Sequence, residues 1–261
     1  MNLTDNVILV TGGTSGIGLA LAQRLQSMGN QVIVLGRNQA RLDQVLADNQ
    51  GLIGYQADVS DSESLTQLPE WLVNHYPRLN VVINSAGIMR AYDLLDPSVT
   101  VSDLTAEIQT NLIGTIAVDK LLLPLLLKQP ESLIVNVSSG LANVSSAAHP
   151  VYSGSKAGVH MFTSALREQL DYAGHTQVHV MELVPPLVAE TNLESTVSAE
   201  ASGNMKLSDL VDAAIKGMQN NKIRVNAGAA KALRKAGQVA PDRTEHQMAK
   251  QMLSQYFPQG L

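Results

Sequence analysis

The chain has 261 residues, 45% hydrophobic and 16% charged, with a formal net charge of −5, enough apolar material for one large core in a single α/β domain spanning 1–261. Acids and bases are scattered without a basic run, which argues against a nucleic-acid partner, and with no cysteine there is neither a disulfide framework nor a thiolate zinc site. Leu121 to Leu127 is the longest apolar stretch, contains Pro124 and falls short of the roughly 20 residues that cross a bilayer; Val7 to Val10 is too short for a signal-peptide core, so a cytoplasmic protein without membrane contact is expected.

Short β-branched runs alternate with helical patterns. Strands are predicted near 7–11, 31–35, 52–57, 80–84, 132–138, 177–183 and 222–226, and helices near 16–28, 39–48, 62–75, 103–128, 151–173 and 207–219. The tail 227–261 forms an extension ending in a helix near 244–256. This alternation predicts right-handed crossovers and a Rossmann-type doubly wound parallel sheet of about seven strands with helices on both faces, its ligands lying beyond the carboxyl ends of the strands. Residues 188–206 are polar with weak periodicity, and a flap over the substrate is expected there.

The first strand runs into Thr11-Gly12-Gly13-Thr14-Ser15-Gly16-Ile17-Gly18 and then a helix with Leu19, Ala22, Leu25 and Met28 facing inward. Gly12 permits a tight turn, Gly16 lets backbone approach a pyrophosphate, and Gly18 allows close helix-to-strand packing. Thr14, Ser15 and Ile17 complete a turn whose helix points free N–H groups at phosphates. A glycine cluster alone is also an ordinary strand-to-helix turn; its position after the first strand favours the nucleotide.

Where the second strand ends, an NAD enzyme carries a carboxylate for the ribose hydroxyls, but here stand Gly36 and Arg37. A guanidinium grips a 2′-phosphate, so NADP(H) is preferred with NAD(H) possible. Alternatively, Arg37 is a solvated residue before a helix capped by Asn38, and Ser15 adds no second basic group. Asp58-Val59 follows the third strand, where Asp58 either accepts from the adenine amino group or serves a turn. Asn84-Ser85-Ala86-Gly87 ends the fourth, where Asn84, Ala86 and Gly87 allow backbone contact with the adenine ribose and fix the strand end.

The long helix 103–128 carries Asn111 among Leu104, Ile108, Leu112 and Ile116, and a kink there would hold water for a proton relay toward Lys156. Ser139 follows the fifth strand, and Tyr152 and Lys156 come thirteen and seventeen residues later. Their i, i+4 spacing holds an ammonium near a phenol, where together with an oxidised nicotinamide it is expected to lower the phenol pKa from about 10. In hydride transfer between a carbonyl and an alcohol, Tyr152 is the acid/base, Ser139 binds the carbonyl oxygen, and Lys156 holds the nicotinamide ribose. Each residue alone has a structural account; the set points to catalysis. The dispersed histidines form no metal motif, and Ser139 lacks the elbow of an acyl-transfer nucleophile.

The glycine turn, Asn84, Asn111, Ser139 and Tyr152-Ser153-Gly154-Ser155-Lys156 resemble the short-chain dehydrogenase/reductase family over nearly the whole chain. The resemblance implies a Rossmann fold, this tetrad, a small-molecule substrate and a homodimer or homotetramer. Asn84-Ser85-Ala86-Gly87-Ile88-Met89, Pro185-Pro186-Leu187-Val188 and Glu245-His246 are similar to its DltE-type bacterial subgroup, which brings no established substrate. Ser85 replaces the family's second Asn, Pro186 replaces a Gly, and Thr191 comes one residue late behind Glu190, so Pro185 and Val188 are preferred to Thr191 as cofactor contacts. The tail lacks the family's frequent Asp-Gly-Gly ending, which puts the commonest tetramer interface in doubt. Ile88, Met89, Leu141, Leu187 and Leu193, with Arg90 and Tyr92, predict a small to medium, largely apolar substrate. The rival expectation is a catalytically silent NADP(H)-binding regulator.

Overall fold

Seven strands form one all-parallel sheet: β1 (Val7–Thr11), β2 (Gln31–Gly36), β3 (Ile53–Gln56), β4 (Leu79–Asn84), β5 (Ser132–Val137), β6 (Val178–Val184) and β7 (Arg224–Asn226), in the order β3-β2-β1-β4-β5-β6-β7. The computed structural model describes residues 1–191, 193 and 204–261. Every residue of β1 and β5 is buried, which is why these strands read as continuous runs rather than alternating ones. The strand order reverses between β1 and β4, opening a crevice at their carboxyl ends.

Successive side chains of a strand point to opposite faces, so Ile8 and Val10 pack with helices α1 (Gly16–Ser27), α2 (Gln39–Asp48) and α7 (Leu207–Gln219). Val7 and Leu9 pack on the other face with α3 (Leu68–His75), α5 (Gly114–Leu126) and α6 (Pro150–Tyr172). The core side of α1 is built from Gly18, Leu21, Ala22 and Leu25, whereas Leu19 and Met28, expected inside, are only partly buried.

Three predicted helices take a different form. The stretch 62–75 is helical only from Leu68, because Asp58 and Asp61 hold the preceding residues in side-chain-bonded turns to Ser60 and Glu63. The stretch 103–128 is three pieces: α4 (Val101–Ile108), a π-helical turn at Gln109–Ile113, and α5. Thr100 and Asp103 start α4 with a reciprocal capping box. The tail carries two helices, α8 (Ala230–Val239) and α9 (Pro241–Tyr256), because Ala240, preceding a proline, leaves the helical region at φ −149° and ψ 66°. Of the expected flap, Ala189–Thr191 form one 3-10 turn, while 192 and 194–203 lie outside the described residues. Among the described residues, no helix is long and apolar enough to cross a membrane, and no three His, Cys, Asp or Glu side chains are grouped to hold a metal.

Candidate active site

The glycine turn sits at the switch point. Gly12 and Gly16 have φ of +63° and +51°, the left-handed region that side chains disfavour. A Cβ on Gly18 would stand 2.4 Å from the Gly12 carbonyl oxygen, so α1 can lie on the turn only without one. At the start of α1, Ser15 is extended, its side chain makes no capping hydrogen bond, and the first turn has no acid. The first amides of α1 are thus left without a side-chain cap, as an anion site requires. Thr14 rests against Gly36, and Ile17 packs on the core. Thr191 stands 3.1 Å from where a Gly16 Cβ would be.

At the β2 end, Arg37 is 59% exposed and 3.5 Å from Asp58. It lines a pocket of about 400 Å³ with Gln56, Ala57, Asp58 and Ser64. Asp58 accepts hydrogen bonds from both the amide and hydroxyl of Ser60. Burial raises its pKa, but those bonds and the Arg37 charge outweigh it and hold the carboxyl below its usual range. Asp58 therefore serves a turn while also facing the pocket. Asn38 caps α2 by accepting from the Arg41 amide, and the Arg41 guanidinium donates to the Thr14 carbonyl at 3.2 Å. This second cation beside the glycine turn escaped the sequence reading, which credited the α2 start with Arg37 alone.

Val59 and Val188 send their side chains into the two cores, so only backbone there can face a ligand. The Pro185 carbonyl accepts from the Gly140 amide at 3.0 Å, tying its loop to the Ser139 turn. Thr191, rather than Val188, is the side chain that reaches the glycine turn, because the 3-10 turn folds it back onto the Val188 carbonyl. Asn84 faces inward too. It donates to Asp119 and Asn136, and Asn136 in turn donates to Asp119 and Thr163. Asn84 thus fixes the β4 and β5 ends from below, while the Ser85 and Ala86 amides bond the Thr11 hydroxyl above. Enclosed in this network, Asp119 is pushed by burial up to about 7, against the hydrogen bonds from Asn136 and Asn84.

The structure brings Asn111, Ser139, Tyr152 and Lys156 together at the carboxyl ends of β4 and β5. Asn111 lies in the π turn, its freed carbonyl taken by the Thr115 hydroxyl. Its side chain accepts from the Ile88 amide at 2.8 Å and donates to the Ile88 carbonyl at 2.9 Å and the Ser155 hydroxyl at 3.0 Å. A Cβ on Gly87 would stand 3.3 Å from the Asn111 Oδ1 and 3.5 Å from the Lys156 Nζ. Gly87 thus keeps the space between them clear. Lys156 donates to the Val137 carbonyl at 2.9 Å, with its Nζ 5.8 Å from the Tyr152 ring centroid.

The lowering expected of Lys156 together with an oxidised nicotinamide works against the protein around the phenol. Burial pushes the Tyr152 hydroxyl up to about 12, the Ser139 hydrogen bond opposes this, and the Glu107 charge adds to it. Burial likewise draws Lys156 down to about 8. Helical spacing places the two groups, and taking both out of water disfavours the charged form of each.

Glu107 was not singled out from sequence. It is fully buried, and its carboxylate has the Arg90 amide as a loose donor, short of full hydrogen-bond geometry. Burial pushes its pKa up to about 7 against the pull of the Arg90 amide and charge. The available signal was a fourfold polar spacing: Glu107, Asn111, Thr115 and Asp119 are all buried, whereas Leu104, Ile108, Leu112 and Ile116 are only half-buried.

Comparison with known proteins agrees with this geometry. The short chain dehydrogenase family model matches residues 6–202. The oxidoreductase DltE of Bacillus subtilis (strain 168) is 36% identical over 252 residues, covering 95% of this chain and 98% of its own. A 3-oxoacyl-[acyl-carrier-protein] reductase of Synechocystis is 33% identical over 203 residues, covering 76% of this chain and 80% of its own. Among solved structures, a short chain dehydrogenase from Burkholderia cenocepacia in complex with NADP superposes with a TM-score of 0.80 at 22% identity, covering 95% of this chain and 99% of that one. With fold, strand-end residues and relatives in agreement, the chain belongs to the short-chain dehydrogenase/reductase family and is an oxidoreductase of the DltE-like kind.

Proposed function

We propose that the protein binds NADP(H) in preference to NAD(H) and interconverts a carbonyl compound and its alcohol, with Tyr152 as general acid and base. The observation that carries this reading is the buried set of Asn111, Ser139, Tyr152 and Lys156 beside a helix start left without a side-chain cap. The residues fit a dinucleotide: the uncapped start of α1 receives the pyrophosphate, and Arg37 with Arg41 flanks the 2′-phosphate position at the β2 end. Solved structures of this fold in complex with NAD and with NADP support a nicotinamide dinucleotide; the preference for NADP(H) rests on Arg37 and Arg41. Bound cofactor supplies the hydride.

This chain's own residues handle the proton and the oxygen. Tyr152, neutral at ordinary pH because burial raises its pKa, donates its proton to the carbonyl oxygen. Ser139, whose hydroxyl favours the ionised form of Tyr152, would turn its one hydrogen to the carbonyl oxygen once substrate is bound, stabilising the charge that develops there. Lys156, anchored on the Val137 carbonyl, keeps further donors for the nicotinamide ribose. Asn111 spends its amide on Ile88 and Ser155, so its part is to hold the 87–88 backbone open beside Lys156. Ile88, Met89, Leu141 and Leu187 are half-buried and give the substrate side an apolar wall. The test is NADPH and NADH consumption by the purified chain with a panel of ketones and aldehydes. Turnover with NADPH is expected; tight NADPH binding without turnover of any substrate would favour a silent regulator instead.

A further inference from the structure

Ser139 and Tyr152 have to meet on one carbonyl oxygen, yet the link 140–149 between β5 and α6 has no regular structure beyond the 3-10 turn Gly140–Ala142. Backbone freedom in such a link is costly to remove, and a displacement of about 1 Å at a reacting group can cost about 100-fold in rate. The C-terminal tail follows this link from end to end. At its start, a Cβ on Gly140 would stand 2.9 Å from the Leu233 Cδ1 of α8. One turn further along α8 the two backbones meet, and a Cβ on Gly237 would stand 2.3 Å from the Asn143 carbonyl oxygen. On α9 the Glu245 carboxylate accepts from the Ser145 amide at 2.9 Å, and the Tyr256 ring stands edge-on to the buried His149 ring with centroids 4.6 Å apart. The contacts rise in step along both segments, 140, 143, 145 and 149 against 233, 237, 245 and 256. α9 has no fully buried residue, so it adds little to the core. Its half-buried Glu245, Met248, Met252 and Tyr256 share one face at helical spacing, and the two ends of that face make the contacts to the link. The other side of the link is held by the body of the domain: the Ala148 carbonyl accepts from the Tyr92 amide at 3.0 Å, and the Ser146 amide donates to the Ser153 hydroxyl at 3.0 Å.

We propose that the tail braces the link between Ser139 and Tyr152, with Glu245 and Tyr256 as positioning residues that set how the two groups meet on the carbonyl oxygen. The inference rests on the oxidoreductase reading above and extends its machinery to residues a hundred positions further along the chain. Glu245 suits the part because a carboxylate accepting from a backbone amide makes a charge-assisted bond, and Ser145 lies midway along the link. Tyr256 adds a ring pair in the edge-to-face geometry that such rings prefer. His149 passes that constraint on, since its carbonyl accepts from the Ser153 amide at 3.0 Å in the first turn of α6, next to Tyr152. Both residues act through the link rather than on the substrate.

The test is amide hydrogen exchange of the full chain loaded with NADP+, read at 140–149 and, as a control, at 11–18, alongside turnover of a panel of ketones with NADPH. Glu245→Ala and Tyr256→Ala should each speed exchange at 140–149 about tenfold and leave 11–18 unchanged. In both, kcat should fall about tenfold, with KM and NADPH affinity within about twofold of the parent. Glu245→Gln, whose side-chain oxygen still accepts from the Ser145 amide, and Tyr256→Phe, which keeps the ring, should restore most of both properties. Unchanged exchange at 140–149 in the alanine variants, or exchange that rises equally at 11–18, would overturn the proposal. So would faster exchange at 140–149 with kcat intact, or a raised KM at unchanged kcat, which would make α9 a wall of the substrate pocket instead. If the parent turns over no carbonyl compound, the oxidoreductase reading fails and exchange alone decides the brace; turnover in the parent with unchanged exchange in the variants removes the brace and leaves that reading standing.

Discussion

The two halves of the sheet are built from different materials. From the N-terminus through β3, the buried polar side chains among the described residues are Asn6, Thr11 and Asn30, and all three serve backbone at strand and loop ends. From β4 through β6, buried polar groups run from Asn84 to Glu182 and include four ionisable side chains that are acids or lysine: Glu107, Asp119, Lys156 and Glu182. Glu182 is held by Ser138, His160 and Arg224. The first half offers a ligand mainly its backbone, which glycine brings close. The second half offers side chains whose protonation the burial has altered, the groups that acid/base chemistry needs.

This contrast breaks most visibly at Tyr152. Tyr152→Phe should lower carbonyl reduction about 10²–10⁴-fold with NADPH affinity nearly unchanged by fluorescence titration; a loss of affinity instead would move the residue from chemistry to binding. Next in size is Asp119. The folded protein holds its proton and the unfolded chain releases it, so this group's contribution to stability falls as pH rises from 3.8 to about 7. Urea midpoints across that range should decline more steeply in the parent than in Asp119→Asn, and parallel curves would show that burial does not hold the proton. In the first half, Gly18→Ala should cost about 1–3 kcal/mol by overpacking, because its Cβ meets the Gly12 backbone; unchanged urea stability would show that the turn yields. The smallest effect is expected at the exposed rim. Arg37→Ala should weaken NADPH about tenfold and NADH hardly at all, and equal losses would remove the case for a 2′-phosphate.

Sequence legibility followed the same division. β1, the glycine turn and α1 could be located because their constraints are local: a buried strand, a left-handed turn, a close helix crossing. The tetrad was legible through residue type and spacing at strand ends. What escaped was set by contacts distant in sequence. That Asn84 would fix its strand end was legible, but its side-chain partners Asp119 and Asn136 were not. The upward push of burial on Tyr152 did not show, because helical spacing carries no information about how much water each group loses. The kink expected at Asn111 falls in the π turn Gln109–Ile113, but its form did not show, because a π turn leaves apolar periodicity on both sides. Thr191 was placed behind Val188, and Arg41 was not singled out, because each reaches the glycine turn from another segment.

The π turn at Gln109–Ile113 fits one extra residue into nearly the sweep of an ordinary helical turn. Removing one residue there would restore an α-helix while leaving α4 and α5 close to their present directions. Asn111 would lose the bulged position from which it bonds Ile88 and Ser155, whereas Asp119, on the following helix, would keep its place beneath Asn84 and Asn136. A single-codon deletion would therefore strike the catalytic centre and spare the core beneath it, whereas a loop such as 93–99, whose residues are mostly exposed, can change length without touching either. Variation in chain length among proteins of this design should accumulate in such loops and be absent from the π turn.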